Sequence, residues 1–265
     1  MKQLRQNDGK SENENRDAVT TWKRSNNGLI RIHIEGKESI RINSFIQQRA
    51  ASTIKLLLTI EAFRQIDAGI LALTSVIQRM EKNTVGGAGV LKALPQLTHI
   101  KVEELLTLMI IVSDNTATNE LISLVGFEKI NECAKNLGLK KTVLNRYMMD
   151  EIAVEKGIDN YTCASDVVKC LREIYEGSLL RKSSREKIMR MLEMQQFQHK
   201  LPARIGSAFQ AANKTGELQG AEHDSAILMR GNETYYAVVL IDGLSDNEQG
   251  RRLIADIGYL LSSNI

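Results

Sequence analysis

Two kinds of hydrophobic spacing divide this chain into three parts. Residues 28–34 alternate between apolar and polar side chains, which predicts a half-buried strand, and residues 39–43 follow as the returning strand of a hairpin. The same period returns near the C-terminus, and a last amphipathic helix follows over 246–262. The C-terminal strands are predicted at 209–214, 224–230 and 235–241.

Between these strands, almost every segment from residue 70 to 207 has the 3.6-residue period of a helix. Hairpins at both ends of a chain join most simply into one antiparallel sheet. We therefore predict an α/β (α+β) fold, an antiparallel sheet flanked by helices, in which 28–69 and 208–265 form the sheet domain. Residues 70–207 are then an inserted all-α domain, with the active site at the seam. The inserted helices are predicted at 70–80, 102–112, 117–124, 127–136, 165–176 and 183–195.

The composition changes this picture little. The 265 residues are 43% hydrophobic and 25% charged, which is typical of a globular protein. A net charge of +3 without a long basic run predicts no nucleic-acid partner. Residues 1–27 form a polar tail, expected to be partly disordered, and they lack the apolar core of a signal peptide. The chain as written is therefore expected to be cytoplasmic, without a membrane span.

Candidate chemistry begins at the segment after the first hairpin, where a serine and a lysine lie three residues apart. A strongly apolar helix is predicted from Ser52 to about Gly69, and at this spacing the Lys55 amine can reach the Ser52 hydroxyl. Burial disfavours a charged lysine, so Lys55 is a possible base for the nucleophile Ser52. The same spacing recurs at Ser184 and Lys187, in a charged stretch that favours a solvated helix start.

Two further motifs follow in the chain. Ser113-Asp114-Asn115 lies on a predicted helix–helix loop that can face a cleft. A second copy, Ser245-Asp246-Asn247, follows a strand end and is predicted to cap the last helix. Lys214-Thr215-Gly216 ends a predicted strand, where it offers a cation, a hydroxyl and a glycine that lets a ligand approach the backbone.

Together, these motifs resemble those of the class A β-lactamase and penicillin-binding protein superfamily, from about residue 28 to the C-terminus. Their order matches, and so do the flanking residues 51–56, 113–119 and 214–218, with His223-Asp224 after them. The resemblance implies a serine hydrolase that forms an acyl-enzyme without a metal or cofactor. The expected substrate is a small-molecule β-lactam or a peptidyl-D-amino acid, in antibiotic response and β-lactam catabolism. The family usually acts outside the cytoplasm, and the oligomeric state stays open.

The resemblance also implies roles for individual residues. Ser52 attacks the amide carbonyl, Lys55 accepts its proton directly or through water, and Ser113 relays a proton to the leaving nitrogen. Lys214 helps to keep Lys55 neutral by like-charge repulsion. The backbone N–H groups of Ser52 and Glu217 form the oxyanion hole. The substrate-binding residues are Asn115, Lys214, Thr215 and Gly216.

One position departs from the family pattern. Class A β-lactamases carry a loop glutamate that activates the deacylating water, and its place falls here on Met148, after a lead-in at 142–147. Asp150 and Glu151 lie close by and are the possible deacylation bases, but slow deacylation is expected. Two alternatives stay open: a D-alanyl-D-alanine peptidase-like amidase or esterase, and a non-turnover receptor for a β-lactam or cell-wall fragment.

Overall fold

The computed structural model describes residues 29–36 and 39–264, so the predicted tail over 1–27 lies outside the described residues. Its main feature is a five-stranded antiparallel sheet, which confirms the predicted fold class. The strands are β1 (Leu29–Glu35), β2 (Ser39–Ile42), β7 (Gln210–Leu218), β8 (Ala221–Arg230) and β9 (Glu233–Asp242). Their order across the sheet is β2-β1-β9-β8-β7, so the first hairpin pairs with the last strand and β7 forms an edge.

Helices pack on both faces of this sheet. The α-helices of the described residues are α1 (Lys55–Asp67), α2 (Val102–Ile111), α3 (Asn115–Val125), α4 (Phe127–Asn136), α5 (Glu151–Glu155), α6 (Ala164–Glu176), α7 (Lys182–Glu193) and α8 (Asn247–Asn264). Two small strand pairs complete the described part: β3 (Gln48–Arg49) with β6 (Tyr161–Thr162), and β4 (Val76–Gln78) with β5 (His99–Lys101).

Successive side chains of β9 point alternately into two hydrophobic cores, one on each face of the sheet. Val238 and Leu240 point into the core that contains the buried side chains of α1, α2, α3 and α6. Val239 and Ile241, on the alternate positions, join the core formed with α8. Because both faces of the sheet are covered, β9 is buried along most of its length.

The predicted helix over 70–80 is wrong. Residues Val76–Gln78 form β4, which pairs with β5 about twenty residues later, so Ile77 lies opposite Ile100. The β-branched pair Val76-Ile77 suits a strand, and the partner strand is too far along the chain for a local period to reveal it. Gly87 and Gly89 in the intervening loop have φ of +72° and +106°, a backbone conformation that interrupts helices.

The division into a sheet domain and an inserted helical domain stays a prediction. No helix among the described residues is both long enough and apolar enough to traverse a lipid bilayer.

Candidate active site

Ser52 lies in a tight turn that leads directly into α1. The residues Ala51–Ile54 form a 3₁₀ turn, so the α-helix begins three residues later than predicted, at Lys55. Ala51 has φ +46°, a left-handed conformation that is uncommon for a residue with a side chain. This conformation is held by Ala50, whose N–H donates to the Asn160 carbonyl at 2.8 Å and whose carbonyl accepts from Thr53 N–H at 3.1 Å.

Lys55 is fully buried one turn beyond the serine. Its Nζ donates to the Ser113 carbonyl at 2.6 Å, to Ser113 Oγ at 3.0 Å and to Asn115 Oδ1 at 2.9 Å. Burial lowers the pKa of Lys55 well below its ordinary value, and the charge of Lys214 lowers it further, against the opposing effect of Asp114. This shift makes Lys55 a more willing proton donor, and its amine a more available base, than an ordinary exposed lysine. In the described structure Lys55 bonds to Ser113 and Asn115, and has no direct hydrogen bond to Ser52.

The Ser113-Asp114-Asn115 loop is fixed by its central carboxylate. Asp114 caps α3 by accepting from Ala117 N–H at 2.9 Å, and its other oxygen accepts from Val90 and Leu91 N–H, both at 2.7 Å. Ser113 is buried and has φ +54°, which turns its hydroxyl toward Lys55. This second role of Asp114, as an anchor for residues 90–91, was not predicted.

Both the oxygen and the nitrogen of the Asn115 side-chain amide have a hydrogen-bond partner. Its Oδ1 accepts from Lys55, and its Nδ2 donates to the Gly86 carbonyl at 3.2 Å. A side chain at Gly87 would place Cβ 2.5 Å from Asn115 Nδ2, so glycine there makes room for this amide.

The third motif lies on the edge strand β7, beside the turn that carries Ser52. A Cβ at Gly216 would lie 3.1 Å from Ala51 Cβ and 3.2 Å from His223 Cβ, so glycine permits the strand to pass close to Ser52. Lys214 is fully buried, and burial lowers its pKa to about 7, with Asp224 opposing the shift and Lys200 adding to it.

His223, opposite Gly216 on β8, ties the sheet to the residues before Ser52. Its Nε2 lies 3.0 Å from the Arg49 carbonyl, and its Nδ1 accepts from Ile241 N–H at 3.3 Å. Burial lowers the pKa of His223 to about 4, which favours the neutral ring.

These elements enclose a cleft of about 670 Å³. Lys55 and Lys214 are buried beneath it rather than exposed in it. Within the described residues, no group of His, Cys, Asp or Glu side chains is arranged to hold a metal ion. The predicted site residues that line the cleft are Ser52, Ser113, Asn115, Thr215 and Glu217, together with Met148, Asp150 and Glu151 from the opposite side.

The opposite side is a loop over residues 143–161 that is closed at its base by an ion pair. Arg146 Nε donates to Asp159 Oδ1 at 2.9 Å, and Arg146 NH2 lies 2.7 Å from the same oxygen. Asn160 Oδ1 accepts from the N–H groups of Asn145 at 2.8 Å and Arg146 at 3.0 Å. Since the Asn160 carbonyl also bonds Ala50, this clamp fixes the loop against the Ser52 turn. The sequence prediction missed it, although opposite charges at the two ends of the loop were a usable signal.

Met148 occupies the middle of this loop and faces the cleft. Its N–H donates to Asn119 Oδ1 at 2.8 Å, and its carbonyl accepts from Asn119 Nδ2 at 3.2 Å, so α3 holds its backbone on both sides. Asp150 is the N-cap of α5 and accepts from Ala153 N–H at 3.0 Å. Glu151 is exposed. The position predicted to match the family's loop glutamate therefore carries a largely buried thioether, and one of the two nearby carboxylates accepts a hydrogen bond from a helix end.

The duplicate motifs have other roles. Ser184 is buried, contrary to the predicted solvated helix start, because its Oγ donates to Asp67 Oδ1 at 2.6 Å. In the second Ser-Asp-Asn copy, Asp246 accepts from Glu248 N–H at 2.9 Å and caps α8. Asn247 bonds Gly220 N–H and the Leu218 carbonyl, at the turn between β7 and β8. Neither copy lines the cleft.

Comparisons with known proteins agree with this architecture. The model of the beta-lactamase enzyme family matches residues 14–265. A comparison with curated proteins found no match. The structure of a beta-lactamase from Sphaerobacter thermophilus is 30% identical with a TM-score of 0.89, covering 95% of this chain and 97% of that chain.

Two more distant structures share the fold. A mutant of PBP-A, solved as an acyl-enzyme complex with penicillin G, is 24% identical with a TM-score of 0.87, covering 95% of this chain and 96% of that one. A class A beta-lactamase from Rhodopseudomonas palustris is 20% identical with a TM-score of 0.86, covering 95% and 100% of the two chains.

Proposed function

Since this chain belongs to the beta-lactamase enzyme family, we propose that it is a serine hydrolase that forms an acyl-enzyme on Ser52 with β-lactam-type amides. The observation that carries this proposal is the buried Lys55 amine, held against Ser113 and Asn115 under the cleft that Ser52 lines. A lysine whose pKa is lowered by burial and by a second lysine is suited to accept a proton at neutral pH.

Acylation uses one side of the cleft. Ser52 Oγ attacks the amide carbonyl while Lys55 accepts its proton, directly or through water. Ser113, bonded to Lys55, passes a proton to the leaving nitrogen as the C–N bond breaks. The N–H groups of Ser52 and Glu217 hold the developing oxyanion, and losing one such donor typically costs about 10²–10³ in rate.

Substrate binding uses the residues around this pair. Thr215 lines the cleft and supplies a hydroxyl for the substrate's carboxylate, while Lys214, buried beneath the cleft, attracts that carboxylate electrostatically. Asn115 binds the side-chain amide of the substrate through the Nδ2 hydrogen that is not donated to Gly86. Gly216 leaves the backbone of β7 accessible.

Deacylation uses the loop over 143–161 and is slow. A thioether at Met148 cannot take a proton from water, and Asp150 already accepts a hydrogen bond at the start of α5. The acyl-enzyme therefore lacks the usual activated water for its release. The ester on Ser52 is expected to accumulate.

The test is a time course of intact mass after addition of a chromogenic cephalosporin or a penicillin. We expect rapid stoichiometric labelling, then turnover far slower than the labelling, with an adduct that lasts for minutes or longer. Fast turnover without an adduct would contradict slow deacylation, and Asp150→Asn and Glu151→Gln would then identify the base. No adduct at all on the folded protein would contradict the acyl-enzyme.

Two other functions remain as outcomes of the same experiment. Turnover of a D-alanyl-D-alanine peptide or ester faster than of the penicillin would favour a peptidase-like enzyme that uses Lys55 and Ser113 for both half-reactions. An adduct that never turns over would favour a receptor that a β-lactam or cell-wall fragment occupies.

A further inference from the structure

The peptide group between Gly216 and Glu217 has a buried cation on its carbonyl side. Lys200 Nζ donates to the Gly216 carbonyl at 2.9 Å and to the His223 carbonyl at 3.1 Å. The Gly216 C=O and the Glu217 N–H belong to the same planar unit, so a partner that fixes the oxygen also fixes the direction of the N–H. Glu217 lies on the edge strand and lines the cleft, where its N–H is available to a ligand.

Contacts from several elements of the fold hold the Lys200 side chain in place. Its side chain is 1% exposed, and its Nζ lies 2.5 Å from Glu222 Oε2, which is fully buried. The other Glu222 oxygen accepts from Asn247 Nδ2 at 2.9 Å and pairs with Arg251 Nε at 3.0 Å. Burying such a cluster is costly in desolvation. Through Lys200 it reaches two backbone carbonyls, those of Gly216 and His223, and the Gly216 peptide is the one that borders the cleft.

A cation on a carbonyl oxygen polarises the whole peptide. Electron density shifts toward the oxygen, and the N–H on the other end becomes a stronger donor. Burial keeps water from screening the Lys200 charge, while the paired Glu222 carboxylate offsets part of it. A stronger donor stabilises a negatively charged oxygen more than a neutral carbonyl, and the difference lowers the barrier.

We propose that Lys200 is a positioning residue of the oxyanion hole: it orients and polarises the Gly216–Glu217 peptide so that the Glu217 N–H stabilises the oxyanion. The inference rests on the proposed function, in which that N–H is one of the two donors. Lys200 acts through the peptide and does not itself touch the substrate.

The experiment compares Lys200→Met with Arg251→Met as the matched control. Arg251 contacts the same Glu222 carboxylate, and its NH2 group also donates to the Glu217 side chain at 2.8 Å, but it does not contact the Gly216 carbonyl. Labelling rates of Ser52 are measured with a penicillin and with an uncharged fluorophosphonate, whose phosphoryl oxygen also needs the oxyanion hole but which carries no carboxylate. Thermal melting establishes that each variant is folded. Infrared difference spectra record the ester carbonyl of the penicillin adduct.

We expect Lys200→Met to slow labelling by both reagents about tenfold, less than the ~10²–10³ for loss of a whole donor. The ester carbonyl should move to higher wavenumber, because a weaker hydrogen bond polarises it less. Arg251→Met should change neither quantity comparably. Should Lys200→Met not fold, Lys200→Gln keeps a donor without the charge and should shift the carbonyl in the same direction.

Three results would overturn the inference. An unshifted ester carbonyl in a folded, charge-free variant would show that Lys200 does not act on the peptide. Slower labelling by the penicillin alone would show that Lys200 binds the carboxylate. An equal shift in Arg251→Met would assign the effect to the cluster as a whole or to the Glu217 side chain, and not to Lys200. Failure of the wild type to be labelled at all would instead contradict the proposed function, and the inference with it.

Discussion

The two sides of the cleft differ in how their polar groups are used. On the acylation side, formed by Ser52, Lys55, Ser113 and Lys214, two buried lysines have lowered pKa values, and the Lys55 amine is held by hydrogen bonds. On the loop side, residues 143–161, the polar groups build the loop itself: Arg146 pairs with Asp159, and Asp150 caps a helix. The side chain that this loop presents at its centre is the thioether of Met148.

This difference separates the framework of the loop from the side chain at position 148. The clamp at residues 146, 159 and 160 holds the loop against the Ser52 turn through other residues. Asn119 holds the backbone N–H and carbonyl of Met148. The Met148 side chain is only 7% exposed and packs in the main core, so a substitution there changes packing as well as chemistry.

The largest expected effect is the complete loss of acylation. Ser52→Ala should abolish covalent labelling by a penicillin or a fluorophosphonate, because the nucleophile is gone, while the melting temperature stays close to that of the wild type. Intact mass and thermal melting check both expectations. Labelling that survives, or that moves to the buried Ser184, would contradict the assignment.

The second test uses the duplicated Ser-Asp-Asn motif within the acylation side. Ser113→Ala should lower the acylation rate by about 10²–10⁴, the usual contribution of proton transfer by a positioned group. Stopped-flow acylation with a chromogenic cephalosporin measures this. Ser245→Ala is the matched control and should leave acylation unchanged, while Asp246→Ala should cost about 1 kcal/mol of stability through the lost cap of α8. Equal loss of acylation in the two serine variants would show that the wrong copy had been chosen.

The third test places a carboxylate on the loop side of the cleft, where the two sides now differ. Met148→Glu should speed release of the acyl-enzyme by about 10²-fold, the lower end for a general base, and change acylation less. The decay of the adduct in intact-mass spectra measures release. Met148→Gln is the control, with similar shape and no base, and should not speed release. If both variants release the adduct equally fast, basicity at this position does not control deacylation.

The smallest expected effect concerns the electrostatics of the acylation side. The pKa of Lys214 is lowered to about 7, so between about pH 7 and the ordinary pKa of lysine, ~10.4, the unfolded chain binds more protons than the folded one. Its contribution to stability therefore rises with pH across this window. Melting temperatures of the wild type relative to Lys214→Met should increase from pH 7 to 10 by roughly 10 °C, since one pKa unit is about 1.4 kcal/mol and 1 kcal/mol shifts Tm by about 2–4 °C at roughly this size.

Lys156→Met, which removes an exposed lysine from the loop side, is the matched control for that measurement. A wild-type Tm that falls with pH relative to that of Lys214→Met would contradict the lowered pKa. The same rise of the wild-type Tm relative to both variants would assign the trend to net charge rather than to the buried lysine.

Local pattern and short motifs were enough to predict the fold class and to choose a set of site residues. The alternation in β1 and the continuous apolar runs in β8 and β9 are strong signals, because the sheet is buried on both faces. The strand β4 was missed because its partner lies outside any local window. Pattern alone therefore succeeds where burial imposes a period and fails where pairing is distant.

The network behind the site was not predictable in the same way. Lys200, Glu222 and Arg251 come from three separate segments, and nothing in their local sequence distinguishes them from surface charges. The contact of Asp114 with residues 90–91 was also not predictable from the sequence. A carboxylate at the start of a helix is already explained by its role as a cap, so nothing pointed to a second role. Such contacts depend on how the chain folds back on itself, which charge patterns do not encode.

The strand order also has a consequence for how the chain folds during synthesis. β1 pairs with β9 in a register that places Ile32 opposite Val239, about two hundred residues later. During synthesis β1 can therefore pair with β9 only after nearly the whole chain has been made. A contact of such sequence separation is also slow to form. Until then β1 has an unpaired apolar edge, the kind of surface that chaperones protect and that aggregation exploits. Since β7 and the Ser52 turn meet only when that sheet closes, nascent chains that stop short of β9 should have no reactive serine.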